Sequence, residues 1–131
     1  TKRPVVFLFG DMREIGSLEE HEHRDVLNHL MDIVDFLYCV GRITKESVVP
    51  IAHKNKNISE ALWFENSKKM GEYLVDKLPA NSIVLVKGSQ NTIFLEEANK
   101  PILTNKKDLE KLCRQEDYWI RTKNKYFKNR N

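Results

Sequence analysis

The segment Val84-Leu-Val-Lys-Gly-Ser-Gln-Asn91 joins a short apolar run to a Lys-Gly-Ser turn and passes straight into a helical pattern. α/β proteins use that order to present a helix N-terminus, with its free amide groups, to an anionic ligand. Working outward, residues 83–86 read as a buried strand, and residues 91–100 as a helix with Leu95 and Ala98 inward, stopped by Pro101. Upstream, Asn66 or Ser67 can cap a helix whose Met70, Leu74 and Leu78 recur every fourth residue until Pro79. Residues 61–64 and 36–40 read as strands, the second ended by Gly41, with a short helix over residues 44–52 interrupted by Pro50. The chain opens with an apolar strand over residues 4–9 and a helix within residues 18–34, where Val26, Leu27, Leu30, Met31 and Val34 keep helical spacing. Residues 108–118 read as a last helix.

Four strands alternating with helices imply a Rossmann-like α/β fold, a mostly parallel sheet with right-handed crossovers and helices on both faces. Unbroken apolar runs suit strands covered on both sides. Ligands of such sheets bind beyond the carboxyl ends of the strands, which selects the loops at residues 10–16, 41–45 and 87–91. In the last of these, Gly88 allows a close approach, the amides of Ser89 to Asn91 can face a carboxylate, and Lys87 adds positive charge. The plainer reading of the same residues is an ordinary turn with a serine cap. Asp11 and Glu14 suit a pair of acid/base carboxylates or, equally, a turn former and a solvated side chain.

The chain has 131 residues, 40% of them hydrophobic, enough for one domain with a real core. It has no apolar run of the roughly 18 to 20 residues needed to cross a bilayer and no signal-peptide pattern. A soluble cytoplasmic protein is therefore expected. Cys39 and Cys113 give neither a disulfide framework nor metal spacing. His21, His23 and His29 include no i, i+4 pair, so no metal site is expected. The net charge of +3 hides an asymmetry. Residues 1–103 carry 13 Lys+Arg against 15 Asp+Glu, whereas residues 104–131 carry 9 against 4.

Gly10-Asp-Met-Arg-Glu-Ile-Gly16, His23 seven residues later, and Val84 to Ser89 stand in an order that resembles the C-terminal domain of the Mur ligases. Within that family the resemblance is nearest to the branch that adds D-alanyl-D-alanine to the UDP-N-acetylmuramoyl tripeptide in peptidoglycan synthesis. The resemblance covers about residues 4–103 and implies an ATP-dependent amide ligase. In it, Lys87, Gly88, Ser89 and Asn91 position the incoming dipeptide, and Asp11, Met12, Glu14 and His23 line the cleft. No residue here is implied to be catalytic. The usual arginine after Lys-Gly-Ser is replaced by Gln90. No GKT phosphate loop and no DDSYNANP-like segment are present, so ATP and magnesium are expected to be held by the N-terminal and central ligase domains, and this chain alone to be inactive. Residues 1–103 would then be the substrate-binding domain without its first strand and helix.

Residues 104–131 are expected to form a basic helical tail, with Leu109, Leu112 and Cys113 packed on the body. Tyr118, Trp119, Tyr126 and Phe127 among its cations also give it the composition of an RNA-contacting segment. The second reading of the whole chain is a stand-alone, non-catalytic module of the same fold that binds RNA or a protein partner. On the first reading, neither nucleic acid nor membrane is a partner.

Overall fold

The computed structural model describes residues 2–13, 16–89 and 93–128. β1 (Val5–Gly10) lies at the centre of a parallel sheet, paired on one side with β2 (Phe36–Val40) and on the other with β4 (Ile83–Lys87). β3 (Glu60–Phe64) pairs with β2, giving the order β3-β2-β1-β4. The sheet is thus the all-parallel Rossmann-like one that the alternating pattern predicts.

Side-chain alternation divides the core in two. Phe7 and Phe9 of β1 and Leu37 and Cys39 of β2 face α1 (Glu19–Leu30) and α3 (Val49–His53). Val6, Leu8, Tyr38 and Val40 face α4 (Ser67–Lys77) and α5 (Glu96–Asn99). Every inward residue of β1 is completely buried because helices cover both sides of it. α2 (Arg42–Ser47) leads from β2 into α3, and Asn66 caps α4 by accepting the Lys69 N–H at 2.9 Å. β4 differs. Its outer edge pairs with no described strand, and Ile83, Leu85 and Val86 are 46%, 41% and 37% exposed.

Two expected helices are redrawn. In place of a helix over residues 91–100, the α-helical part is Glu96–Asn99, followed by a 3-10 turn at Lys100–Ile102. Phe94 takes φ +48°, which no helix accommodates, and is buried among Trp119, Tyr126 and Phe127. In place of a helix over residues 108–118, there is a 3-10 helix at Lys106–Lys111, and α6 runs Asp117–Lys128. Arg114, at φ +57°, separates the two. Leu109 and Leu112 are only half-buried and Cys113 is exposed. The expected apolar stripe is therefore not the anchor. Phe127 and Lys123 of α6 are the buried ones, 4% and 3% exposed.

Lys123 is held by a buried ionic cluster. Glu96 receives Arg114 through two hydrogen bonds of 2.9 and 2.8 Å and has Lys123 Nζ at 3.4 Å. Glu97 Oε1 lies 2.7 Å from Lys123 and 2.9 Å from Lys100, contacts that are ionic rather than well-aimed hydrogen bonds. Burial alone would raise the Glu97 pKa, but the two ammonium groups outweigh it and hold the carboxyl below its usual range.

On the α4 side, Tyr38 and Tyr73 both donate to Glu60 Oε1, at 2.8 and 2.7 Å. Burial first, and then the Glu60 carboxylate, pushes the Tyr38 phenol up. On the other face, burial and then Asp11 push the Cys39 thiol up. Both groups stay protonated in the fold after they would ionise in the unfolded chain. Their contribution is complete below their ordinary values, about 10 for the Tyr38 phenol and about 9 for the Cys39 thiol, and is lost as pH rises past them. We therefore expect the melting temperature to fall from about pH 9 upward. Tyr38→Phe should flatten that fall above pH 10 by up to about 1.4 kcal/mol per pH unit. An unchanged slope in a pH series of thermal melts would contradict this account.

Candidate functional site

The chain runs from β1 to β2 and β3 on one side, then crosses back to β4 on the other side of β1. The strand order therefore reverses between β1 and β4, and the crevice above that point is where open α/β sheets bind ligands. Of the three loops selected from the sequence, the fold brings two together there: the one after β1 and the one after β4.

Two hydrogen bonds clasp these loops. The Ser89 N–H donates to the Asp11 carbonyl at 2.9 Å, and the Arg13 N–H donates to Ser89 Oγ at 2.6 Å. Below the clasp the backbones of Gly10 and Gly88 touch. A Cβ on Gly88 would sit 3.1 Å from Gly10 Cα and 2.9 Å from Leu95 Cδ1. In this structure the missing side chain of Gly88 makes room for Gly10 and Leu95. Likewise, the Ser89 amide is taken by Asp11, although the serine O–H remains able to donate.

Asp11, read above as lining the cleft, is 1% exposed and points downward. Its two carboxylate oxygens accept the N–H groups of Ile43 at 3.0 Å and Thr44 at 2.9 Å, at the start of α2. Gly41, just before that helix, has φ +111°, and a Cβ there would overlap the Asp11 carboxylate at 2.2 Å. His23 is also fully buried. Its Nε2 accepts the Met12 N–H at 2.8 Å, its Nδ1 donates to the Glu19 carbonyl, and its ring stacks on Phe9 at 5.4 Å. With one ring nitrogen accepting and the other donating, the imidazole is a neutral brace between α1 and the loop after β1.

Met12 and Lys87 do reach the crevice. They line a hollow of about 400 Å³ together with Leu18, Glu22 and Val26 of the first helical region. Lys87 is exposed and makes no hydrogen bond or ion pair with a described residue. A second, smaller hollow of about 190 Å³ lies on the other side of β4, where Gly88 and Ser89 meet Cys113 and Arg114. Glu14, Gln90 and Asn91 lie outside the described residues. Among the described residues, no group of three or more His, Cys, Asp or Glu could hold a metal ion, and no helix is long and apolar enough to cross a membrane.

Leu18 and Glu22 were not singled out from the sequence, and Val26 was read only as part of a helical face. Their i, i+4, i+8 spacing puts them on one helical face, but that spacing is ordinary until β4 is known to lie beside it. Arg114 carried no local signal at all.

The assembled crevice can hold a small anion-bearing ligand against Lys87. It contains no activated nucleophile among the described residues. Comparison with known proteins identifies the family and the fold. The profile of the Mur ligase, glutamate ligase domain family matches residues 1–90. A curated relative, the dihydrofolate synthase/folylpolyglutamate synthase of Buchnera aphidicola subsp. Baizongia pistaciae (strain Bp), is 34% identical over 98 residues, covering 70% of this chain and 21% of that protein. The fold is also that of the MurF ligase from Thermotoga maritima in complex with ADP, with a TM-score of 0.57 at 20% identity over 84% of this chain and 23% of that one. MurF from Acinetobacter baumannii superposes equally well, with a TM-score of 0.57 and 20% identity over 86% of this chain and 23% of that one. The chain thus spans less than a quarter of the length of each of these proteins.

Proposed function

Since the chain belongs to the Mur ligase, glutamate ligase domain family, we propose that it is the part of an ATP-dependent amide ligase that holds the incoming amino compound. We propose further that this compound is D-alanyl-D-alanine and the acceptor the UDP-N-acetylmuramoyl tripeptide of peptidoglycan synthesis. Residues 1–103 would be the holding domain and residues 104–131 a tail packed against it. The observation that carries this reading is the Ser89 clasp. It fixes the Lys87-Gly88-Ser89 turn against the loop after β1, at the one place where the sheet changes direction. Both solved relatives described above are MurF ligases, and one of them was crystallised with ADP.

In such a ligase ATP supplies activation of the accepting carboxylate. The work assigned to this chain is to bind and orient the amine-bearing partner. Lys87 attracts the dipeptide carboxylate, and the Ser89 hydroxyl donates to it while accepting from Arg13. Restricting the dipeptide in this way lowers the entropy cost of the attack.

The test is ligation by the full-length natural protein. Ser89→Ala should raise the KM for D-alanyl-D-alanine about ten- to a hundredfold, the worth of one hydrogen bond to a charged group, and leave the KM for ATP unchanged. Equal weakening of both would point to a folding defect. The curated relative favours a second reading, in which the same crevice holds glutamate for addition to a folate. Ligation of L-glutamate in place of the dipeptide would establish it. Binding of RNA or protein with no ligation at all would make the chain a non-catalytic module.

A further inference from the structure

The hollow between α1 and β4 has an unusual lining: Met12, Leu18 and Val26 are apolar, Glu22 is an anion and Lys87 a cation. Neither charged side chain forms an ion pair or hydrogen bond with the other or with another described residue. Two opposite charges on the rim of one apolar hollow, close enough to share it yet unpaired, match a ligand that brings both charges itself. The volume of about 400 Å³ lies at the small-ligand end of the usual range of roughly 300–1,000 Å³. It suits an amino acid or dipeptide better than a nucleotide-linked peptide.

The position of Glu22 is not accidental. His23, buried beside it, is tied to Met12 and to Glu19, which fixes the rotation of α1 about its axis. With that rotation set, Glu22 and Val26, one turn apart, face the hollow. Lys87 arrives on the same side because it is two and four residues from Leu85 and Ile83, the β4 positions paired with Phe7 and Val5.

We propose that this hollow is a zwitterion subsite, in which Glu22 holds the ammonium end of the incoming amino compound, Lys87 holds its carboxylate, and Met12, Leu18 and Val26 receive a small apolar side chain. This rests on the functional reading given above and makes Glu22 a specificity-determining residue for it. Among the described lining residues a second ligand carboxylate would find no further cation and would meet Glu22. The subsite therefore prefers D-alanyl-D-alanine to glutamate.

The experiment uses the isotopically labelled 131-residue chain, titrated by NMR with D-alanyl-D-alanine, its N-acetyl derivative, its C-terminal amide and L-glutamate. The free dipeptide should shift the amides of Met12, Leu18, Val26 and Lys87. Acetylation or amidation should each weaken binding about tenfold or more, the usual worth of one charged hydrogen bond. Glu22→Gln should weaken the free dipeptide by a similar factor and leave the acetylated one unchanged. Lys87→Met should do the same for the amide. Retained amide dispersion would show that both variants fold. Equal affinity of free and acetylated dipeptide for the wild-type chain would overturn the proposal, as would shifts confined to Gly88 and Ser89. The second of these outcomes would leave the functional reading standing. Tighter binding of L-glutamate, or no binding of the dipeptide at all, would also overturn the subsite, and the Ser89→Ala kinetics would then judge the functional reading independently.

Discussion

Glu96→Ala should lower stability by about 3–5 kcal/mol, because it leaves cations buried without their counter-charge. Glu96 is 2% exposed at its side chain and faces Lys123, 3% exposed, and Arg114, 14% exposed. Removing the carboxylate leaves Arg114 without its two hydrogen bonds and Lys123 with Glu97 alone. For a chain of this length, each kcal/mol moves the melting temperature by roughly 3–5 °C, so a fall of about 10–25 °C is expected. The loss should be nearly the same in low and high salt, since buried charges are poorly screened. A fall of only a degree or two, or one that vanishes in salt, would mean that the cluster is solvated. Lys123→Met, which replaces the buried amine by an apolar group of similar shape, should cost less than Glu96→Ala.

Asp11→Ala should cost about 3–6 kcal/mol, taking each charge-assisted hydrogen bond as roughly 1.5–3 kcal/mol. Both bonds from α2 to the carboxylate are buried, and water cannot replace the acceptor without opening the core. Asp11→Asn retains one acceptor oxygen but turns an amino group toward the second N–H, so an intermediate loss is expected. Gly41→Ala tests the same joint from the other side, since its Cβ would have to occupy the carboxylate's place at an unfavourable φ. If Asp11→Asn left the melting temperature unchanged and abolished ligation, Asp11 would be acting on substrate and the structural account would be wrong.

The parallel sheet was legible because its signals are local. Each strand is a short apolar run, and each crossover helix carries its own spacing or cap, as with Asn66 and Met70, Leu74 and Leu78. The loop after β1 and the Lys87-Gly88-Ser89 turn were legible as motifs, but their direct contact was not. The Ser89–Asp11 and Ser89–Arg13 bonds join residues more than 70 positions apart. The role of Asp11 escaped for the same reason. A buried cap for a helix 32 residues away looks, in one dimension, like any acidic turn residue. The end of the chain was the least legible. Phe94 and Arg114 adopt positive φ because of what surrounds them, Phe94 in the aromatic cluster and Arg114 on Glu96. Neither side chain announces that backbone. One of the two buried residues that anchor α6 is a lysine, a residue that sequence reading assigns to solvent until a buried carboxylate is known to await it.

An open sheet can grow at its edges, and of the two edge strands here β4 is more exposed than β3. The outer edge of β4 offers a row of backbone donors and acceptors beside Ile83, Leu85 and Val86, and Lys87 is the strand's single charged residue. Such edges are ordinarily kept apart by charge, proline or a bulge, and β4 carries only the lysine at its end. Between copies of the chain, strand addition is a second-order process. Crowding thus threatens this chain's solubility at β4 before it threatens the buried strands, and the danger rises with concentration rather than with temperature.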